Sequence, residues 1–375
     1  MDVRRVRAWR LLQRIAPLLF GKYHYEMEQI PVDGPFLLIA NHACNMDPIF
    51  VGLASRDRPL AFVASEHLMR LGFVSKLLTQ YLAIIPRPKA SMAIETIKSV
   101  TKALKEGDPV VLFAEGDNTW NGVTGEIFPA TGKLVRMLKF PLVTYRLDGN
   151  YLTKPRWAVK ARRGRVKGSV VHVYSPEELS GMKPQQINDL INADIHSDSW
   201  KHQKESPVVF RGRKLAENLQ KAIFICPECH AIDALFTKRD RIICRKCGHE
   251  VTIDSYGFLH GGRFVDLHAW DLWQLEAYRD WIQNPSAARS FSAHGVLTNL
   301  EQKSAIKVDF SLNLREKSIQ INDGTILLSD ISDMSMVKTE RLLFTGPDGY
   351  YEFKSSQGIL RPYVLAWRLI KETME

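Results

Sequence analysis

No stretch of the 375 residues stays apolar for the ~18 residues that a membrane-crossing helix requires, which excludes an ordinary spanning segment. A clean hydrophobic leader is missing too. The opening MDVRRVRAWRLLQRI threads arginines through its apolar residues, which predicts an intracellular protein without a secretory signal. Internal repeats and low-complexity tracts are absent. Cysteine is scarce, at 5 residues, too few for a disulfide-framed fold in a chain of this length. Four of the five form two CxxC pairs, Cys226-Pro-Glu-Cys229 and Cys244-Arg-Lys-Cys247. In an intracellular chain that pattern reads as a metal site.

What is present is an ordinary globular composition, 45% hydrophobic and 25% charged, with length for about two to three domains. The formal net charge is +10. It points to anionic partners: nucleic acid, anionic lipid headgroups or phosphorylated substrates. Near the start, Ala8, Leu11, Leu12, Ile15, Ala16 and Leu19 recur at helical spacing, with Arg7, Arg10 and Arg14 opposite. Such a basic amphipathic helix either lies on an anionic membrane or packs on its own domain. Pro17 is expected to end or kink it near Ala16.

From 24 to about 175, apolar runs suited to strands buried on both faces alternate with helical patterns. The runs are PFLLIA, PLAFVAS, YLAIIP, PVVLFA and PLVTYRL. The helices are expected around 48–55, 67–80, 91–106 and 131–139. This predicts an α/β domain with a largely parallel sheet and flanking helices. Residues 157–175 read as a hairpin turning near Gly164, with Lys160, Arg162, Arg163, Arg165 and Lys167 gathered there. A polar, mostly helical stretch follows over 176–222. After about 290 the pattern becomes short strands separated by turns such as Asn-Asp-Gly and Gly-Pro-Asp-Gly, closed by a helix near 360–373. That order resembles a small pleckstrin-homology-like barrel. The expected domains are 1–210, with the basic helix, then 222–255 around the cysteines, then 285–375.

The chemistry concentrates where PFLLIA runs into Asn41-His42-Ala-Cys-Asn-Met-Asp47-Pro48. Histidine titrates near neutrality and is suited to take a proton from an alcohol. A carboxylate on its other ring nitrogen fixes the tautomer and stabilises the imidazolium. The plain alternative is that Asp47 caps a helix whose first position is Pro48. Cys44 offers a second alternative, a thiolate–imidazolium pair with His42. Small apolar burial is the commoner fate of a free cysteine.

Three further strand ends follow in order: Tyr81-Leu-Ala-Ile-Ile-Pro86-Arg87, then Val111-Leu-Phe-Ala-Glu115-Gly116, then Phe140-Pro141-Leu-Val. The series resembles the four blocks of the glycerolipid acyltransferases, which include lysophosphatidic acid and glycerol-3-phosphate acyltransferases. Their blocks are NHxxxxD, an apolar strand ending in arginine, FPEGTRS, and a proline-led apolar strand. The resemblance covers roughly residues 24–175. It implies an O-acyltransferase of phospholipid biosynthesis. His42 and Asp47 would be its catalytic pair, with Arg87, Glu115 and Gly116 holding the acceptor. The donor would be acyl-CoA or acyl carrier protein, and the acceptor a lysophospholipid such as 1-acylglycerol-3-phosphate. The protein would work on the cytoplasmic side, peripheral on the inner face of the cell membrane. One departure stands out: Asn118 replaces the arginine of EGTRS. Lys133, Arg162 or Arg163 would then supply the missing positive charge, or the acceptor is a different lysolipid or a neutral one.

The C-x2-C-x14-C-x2-C series, with Gly248 beside the second pair, fits a structural zinc ribbon ligated by Cys226, Cys229, Cys244 and Cys247. Four cysteine ligands leave no open position for catalysis. Iron in a similar cage is the alternative. A ribbon with this charge also fits a nucleic-acid-binding protein. That reading leaves the ordered strand-end motifs without a reason, so no nucleic acid is expected. A third reading is a non-catalytic lipid-binding scaffold on the same fold.

Overall fold

The computed structural model describes residues 3–56, 58–65, 83–87, 94–283 and 289–374. The expected helix over 67–80 lies outside them. Two compact units form, one from 3–156 with 160–212, the other from 157–159 with 213–374.

The first unit is built on a seven-stranded sheet. Its strands are β1 (Tyr25–Met27), β2 (Leu37–Ala40), β3 (Ala61–Ser65), β4 (Ile85–Arg87), β5 (Val110–Leu112), β6 (Leu142–Asp148) and β7 (Val166–Tyr174). They lie in the order β1-β7-β6-β2-β5-β3-β4. Every pairing is parallel except that of β6 with β7. β2 and β5 are buried throughout, because both faces of the sheet are covered. Leu38 and Ala40 enter one apolar cluster with Phe50, Val111 and Val143. Leu37 and Ile39 enter the other with Val110, Leu112, Leu142, Ile187 and Ile191. A run without polar alternation is what two covered faces demand.

Helix Val3–Phe20 continues through Pro17 instead of stopping at Ala16. An internal proline costs about 3 kcal/mol or more. Several contacts to the unit offset that cost. Trp9 and Ala16 are buried, and the Trp9 indole donates to the Ser55 carbonyl at 2.7 Å. Gln13 donates to the Gly52 carbonyl at 2.7 Å, and Arg5 pairs with Asp108 at 2.6 Å. The periodic apolar face is thus divided. Ala16 turns inward, while Leu11, Leu12, Leu18 and Leu19 stay exposed.

The hairpin expected over 157–175 does not form. Only Val166–Tyr174 is a strand, and its partners are β6 and β1. Gly164 marks a close approach instead of a turn: a Cβ there would stand 2.1 Å from the Phe210 ring.

The second unit holds a four-stranded antiparallel sheet over Leu235–His260 and a seven-stranded antiparallel sheet over Ser290–Gln357. Helix Arg361–Glu372 follows the larger sheet. Helix Leu267–Gln283, for which the sequence raised no expectation, buries Trp270, Tyr278 and Trp281. Its Asp271 takes both guanidinium nitrogens of Arg361, at 2.6 and 2.9 Å, in a buried bidentate pair.

Candidate active site and cysteine cluster

β2 lies between β5 and β6, so the loop leaving its C-terminal end meets the loops that leave theirs. That edge is where open α/β sheets gather functional groups. Asn41 fixes the exit from β2. Its side chain donates to the Leu147 carbonyl at 2.9 Å and accepts from the Leu147 amide at 2.7 Å.

His42 Nδ1 lies 2.9 Å from Asp47 Oδ2. The same oxygen accepts from the amides of Ala43, at 2.6 Å, and Cys44, at 2.9 Å. Helix Asp47–Leu53 starts at Asp47 itself, and no side chain caps it. The capping alternative therefore fails: the carboxylate turns back over its own loop, away from the helix amides. Asp47 is fully buried. A buried carboxylate persists only when several donors surround it. Its Oδ1 accepts from the Cys44 thiol at 3.1 Å and from the Asn150 amide at 3.0 Å.

Burial pushes the Cys44 thiol well above its usual range, and the neighbouring Asp47 charge pushes in the same direction. A thiol held neutral and donating to a carboxylate is no nucleophile. The thiolate alternative fails for that reason.

The His42 ring stacks on Phe113, with centroids 4.4 Å apart and planes 24° off parallel. The Asn118 carboxamide nitrogen lies 3.2 Å from Nδ1 and 3.1 Å from Nε2. Near-equal distances set it across the ring, off the lone-pair axis of either nitrogen.

Glu115 ties two loops together. Its Oε1 accepts from the His42 amide at 2.6 Å and its Oε2 from the Gly125 amide at 2.8 Å. Burial raises this carboxyl to about 8, although the two amides favour the ionised form. Gly116 follows at φ 76°, and a Cβ there would stand 2.2 Å from Phe128 and 3.3 Å from the Arg87 guanidinium. Only glycine fits that turn. Arg87 is buried with its guanidinium 4.7 Å over the Phe128 ring. Burial lowers its pKa, and the nearby Asp117 charge opposes that shift.

His42, Asp47, Arg87, Glu115 and Gly116 thus meet at one edge of the sheet. The proposed substitutes for the missing arginine have other surroundings. Lys133 is exposed near the start of helix Thr131–Leu138. Arg162 is buried and its amide donates to the Thr153 carbonyl at 2.7 Å. Arg163 is exposed and its backbone pairs with Arg211. Arg156, to which nothing in the sequence pointed, also reaches the 117–118 turn. Its guanidinium bonds the Asp117 carboxylate at 2.5 Å and the Asn118 carbonyl at 3.3 Å, over the Trp120 ring at 4.4 Å. Asn150 was missed too. Neither lies in a strand-end motif, and no spacing rule links them to residues so far away in the chain.

In the second unit the sulfurs of Cys226, Cys229, Cys244 and Cys247 lie within 4.8 Å of one another, a cluster able to hold a metal ion. The 226–247 and 229–244 pairs are 3.6 and 3.7 Å apart. Four thiolates about 2.3 Å from a tetrahedral ion would stand about 3.8 Å apart, so the donor set fits.

Residues 23–148 match the family model described as Acyltransferase. A 1-acyl-sn-glycerol-3-phosphate acyltransferase of Bacillus subtilis is 25% identical over 193 residues, covering 48% of this chain and 94% of that protein. A probable 1-acyl-sn-glycerol-3-phosphate acyltransferase of Mycoplasma genitalium is 21% identical over 183 residues, covering 46% of this chain and 68% of that protein. The crystal structure of the 1-acyl-sn-glycerophosphate acyltransferase PlsC of Thermotoga maritima overlaps 51% of this chain and 78% of its own, with 17% identity and a TM-score of 0.41. With the strand-end histidine and aspartate in place, the chain is an O-acyltransferase whose acyltransferase domain is similar to the 1-acyl-sn-glycerol-3-phosphate acyltransferases.

Proposed function

We propose that the protein transfers a fatty acyl group from a thioester, acyl-CoA or acyl carrier protein, to the hydroxyl of a lysophospholipid, with 1-acylglycerol-3-phosphate as the leading acceptor. The observation that carries this is the His42–Asp47 pair at the end of β2. Nδ1–H donates to Asp47, so Nε2 is the basic nitrogen. It takes the hydroxyl proton as the oxygen attacks the thioester carbonyl. The C–O bond forms, the C–S bond breaks, and the proton passes to the departing thiolate. No acyl-enzyme forms. Arg87 at the end of β4 is the residue we assign to the acceptor's phosphate, and Glu115 and Gly116 shape the turn beside it.

The same reading has the protein act peripherally on an anionic membrane at the cytoplasmic face. No helix among the described residues is long and apolar enough to cross a bilayer. The outward face of helix Val3–Phe20 supports the reading, since it mixes exposed Leu11, Leu12, Leu18 and Leu19 with exposed Arg10 and Arg14. We assign zinc, in a structural role, to the four-cysteine cluster within the ribbon at 222–255, and a pleckstrin-homology-like character to 285–375. Seven antiparallel strands followed by a helix support the latter. Purified protein incubated with labelled acyl-CoA or acyl carrier protein and a panel of lysolipids tests the proposal. Transfer to phosphate-bearing acceptors that weakens in Arg87→Ala is expected. A preference for neutral monoacylglycerol, indifferent to Arg87→Ala, would overturn the acceptor assignment.

A further inference from the structure

We infer that Asn150 is a positioning residue of the acyl-transfer site, holding one oxygen of Asp47 so that the other serves His42. The inference rests on the acyltransferase reading for its kinetic part. Asn150 opens helix Asn150–Thr153 just past the end of β6, 103 positions from Asp47. The preceding Gly149 has φ 78°, and a Cβ on it would stand 2.2 Å from the Arg165 carbonyl. Glycine lets the chain turn sharply there and aim the next side chain back under β2.

The donors to Asp47 divide by oxygen. Oδ2 faces His42 and is held by two backbone amides of its own loop. Among the described residues, Oδ1 has two donors, the Cys44 thiol and the Asn150 amide. A thiol is a weak donor, so Asn150 is the strong one. It is also the donor that comes from another strand end, and it is 2% exposed. Without it the buried carboxylate would lose support for its charge and could rotate about χ2. Both effects weaken the bond to Nδ1, which fixes the tautomer and stabilises the imidazolium of the transition state. Asn150 touches no reacting atom, so its effect belongs to kcat.

Three measurements test this. In Asn150→Ala, kcat for transfer from acyl-CoA to lysophosphatidate should fall about 10–100-fold, with both KM values within about twofold of wild type. Asn150→Asp keeps the shape but donates only while the new acid is protonated. Among the described residues, the ionisable groups beside the pair are Glu115, from the end of β5, and Cys44, in the same loop, with Asp117 of the 115–119 turn acting on Glu115. All three are unchanged in the variant. Its activity should therefore fall as pH rises and the new acid ionises against Asp47, a loss additional to any that the ionisation of Glu115 near 8 causes in both proteins. The downfield proton resonance of His42 Nδ1–H reads the His42–Asp47 bond without turnover, and should shift or broaden in Asn150→Ala. An inactive wild type would sink the acyl-transfer reading alone, because this resonance still decides the role of Asn150. The inference is overturned by an Asn150→Ala protein with wild-type kcat and an unmoved resonance. Failure of both variants to fold would also overturn it, by making Asn150 a folding residue.

Discussion

At the His42 site the chemistry depends on which groups are already engaged. Asp47 has its donors, Cys44 is spent donating to it, and Glu115 bridges two backbone amides. Nε2 of His42, with the Asn118 amide 3.1 Å away, is the nitrogen to which the proposed mechanism assigns the proton transfer. The state of Glu115 carries a pH dependence. Its folded pKa of about 8 lies above the ordinary carboxyl value, so the folded state holds a proton that the unfolded chain gives up earlier. The resulting stability is fully present below the ordinary carboxyl range and is lost as pH rises through about 8. Glu115→Gln should flatten that slope, and melting temperatures measured across the interval would show it. A wild-type slope retained in the variant would mean that another group titrates. The sequence alone pointed to His42, Asp47, Arg87, Glu115 and Gly116, because each sits at or just past a strand end in a short motif. Asn150 and Arg156 stayed hidden because their partners are set by three-dimensional neighbours, β6 beside β2 and a helix end beside the 117–118 turn.

Helix Val3–Phe20 illustrates the same limit. Its periodicity was plain, but one apolar stripe served two surfaces, and only packing shows that Trp9 and Ala16 take the inward one. The double substitution Leu18→Ser with Leu19→Ser removes exposed apolar surface without touching Trp9. It should weaken binding to vesicles containing anionic phospholipid at least several-fold and leave the melting temperature within a degree or two. Unchanged vesicle binding in a sedimentation assay would remove the helix from the membrane account. The buried strands were legible because both faces of the sheet are covered and their apolar runs are continuous. The expected hairpin at 157–175 failed for a related reason. Basic residues around a glycine mimic a turn, whereas Gly164 is needed for the approach of Phe210.

Taken as a whole, the chain places its candidate active site and its cysteine cluster in separate compact units. Their dependence on metal should differ. Structural zinc in a four-cysteine site is worth ~10–16 kcal/mol of apparent binding energy, so the local fold there depends on the ion. Chelation should open roughly residues 222–255 to hydrogen exchange while the amides around His42 keep their protection. Elemental analysis of protein purified without added metal should find one zinc per chain. A metal content near zero, with the 222–255 amides protected, would contradict the assignment.

The account turns on His42 acting as a base without an acyl-enzyme. Acyl transfer to lysophosphatidate by wild type, His42→Ala and Cys44→Ala decides it. His42→Ala should lose ~10²–10⁴-fold in rate while keeping its fold, and Cys44→Ala should stay within about tenfold of wild type. A dead Cys44→Ala enzyme beside an active His42→Ala one would contradict the mechanism outright.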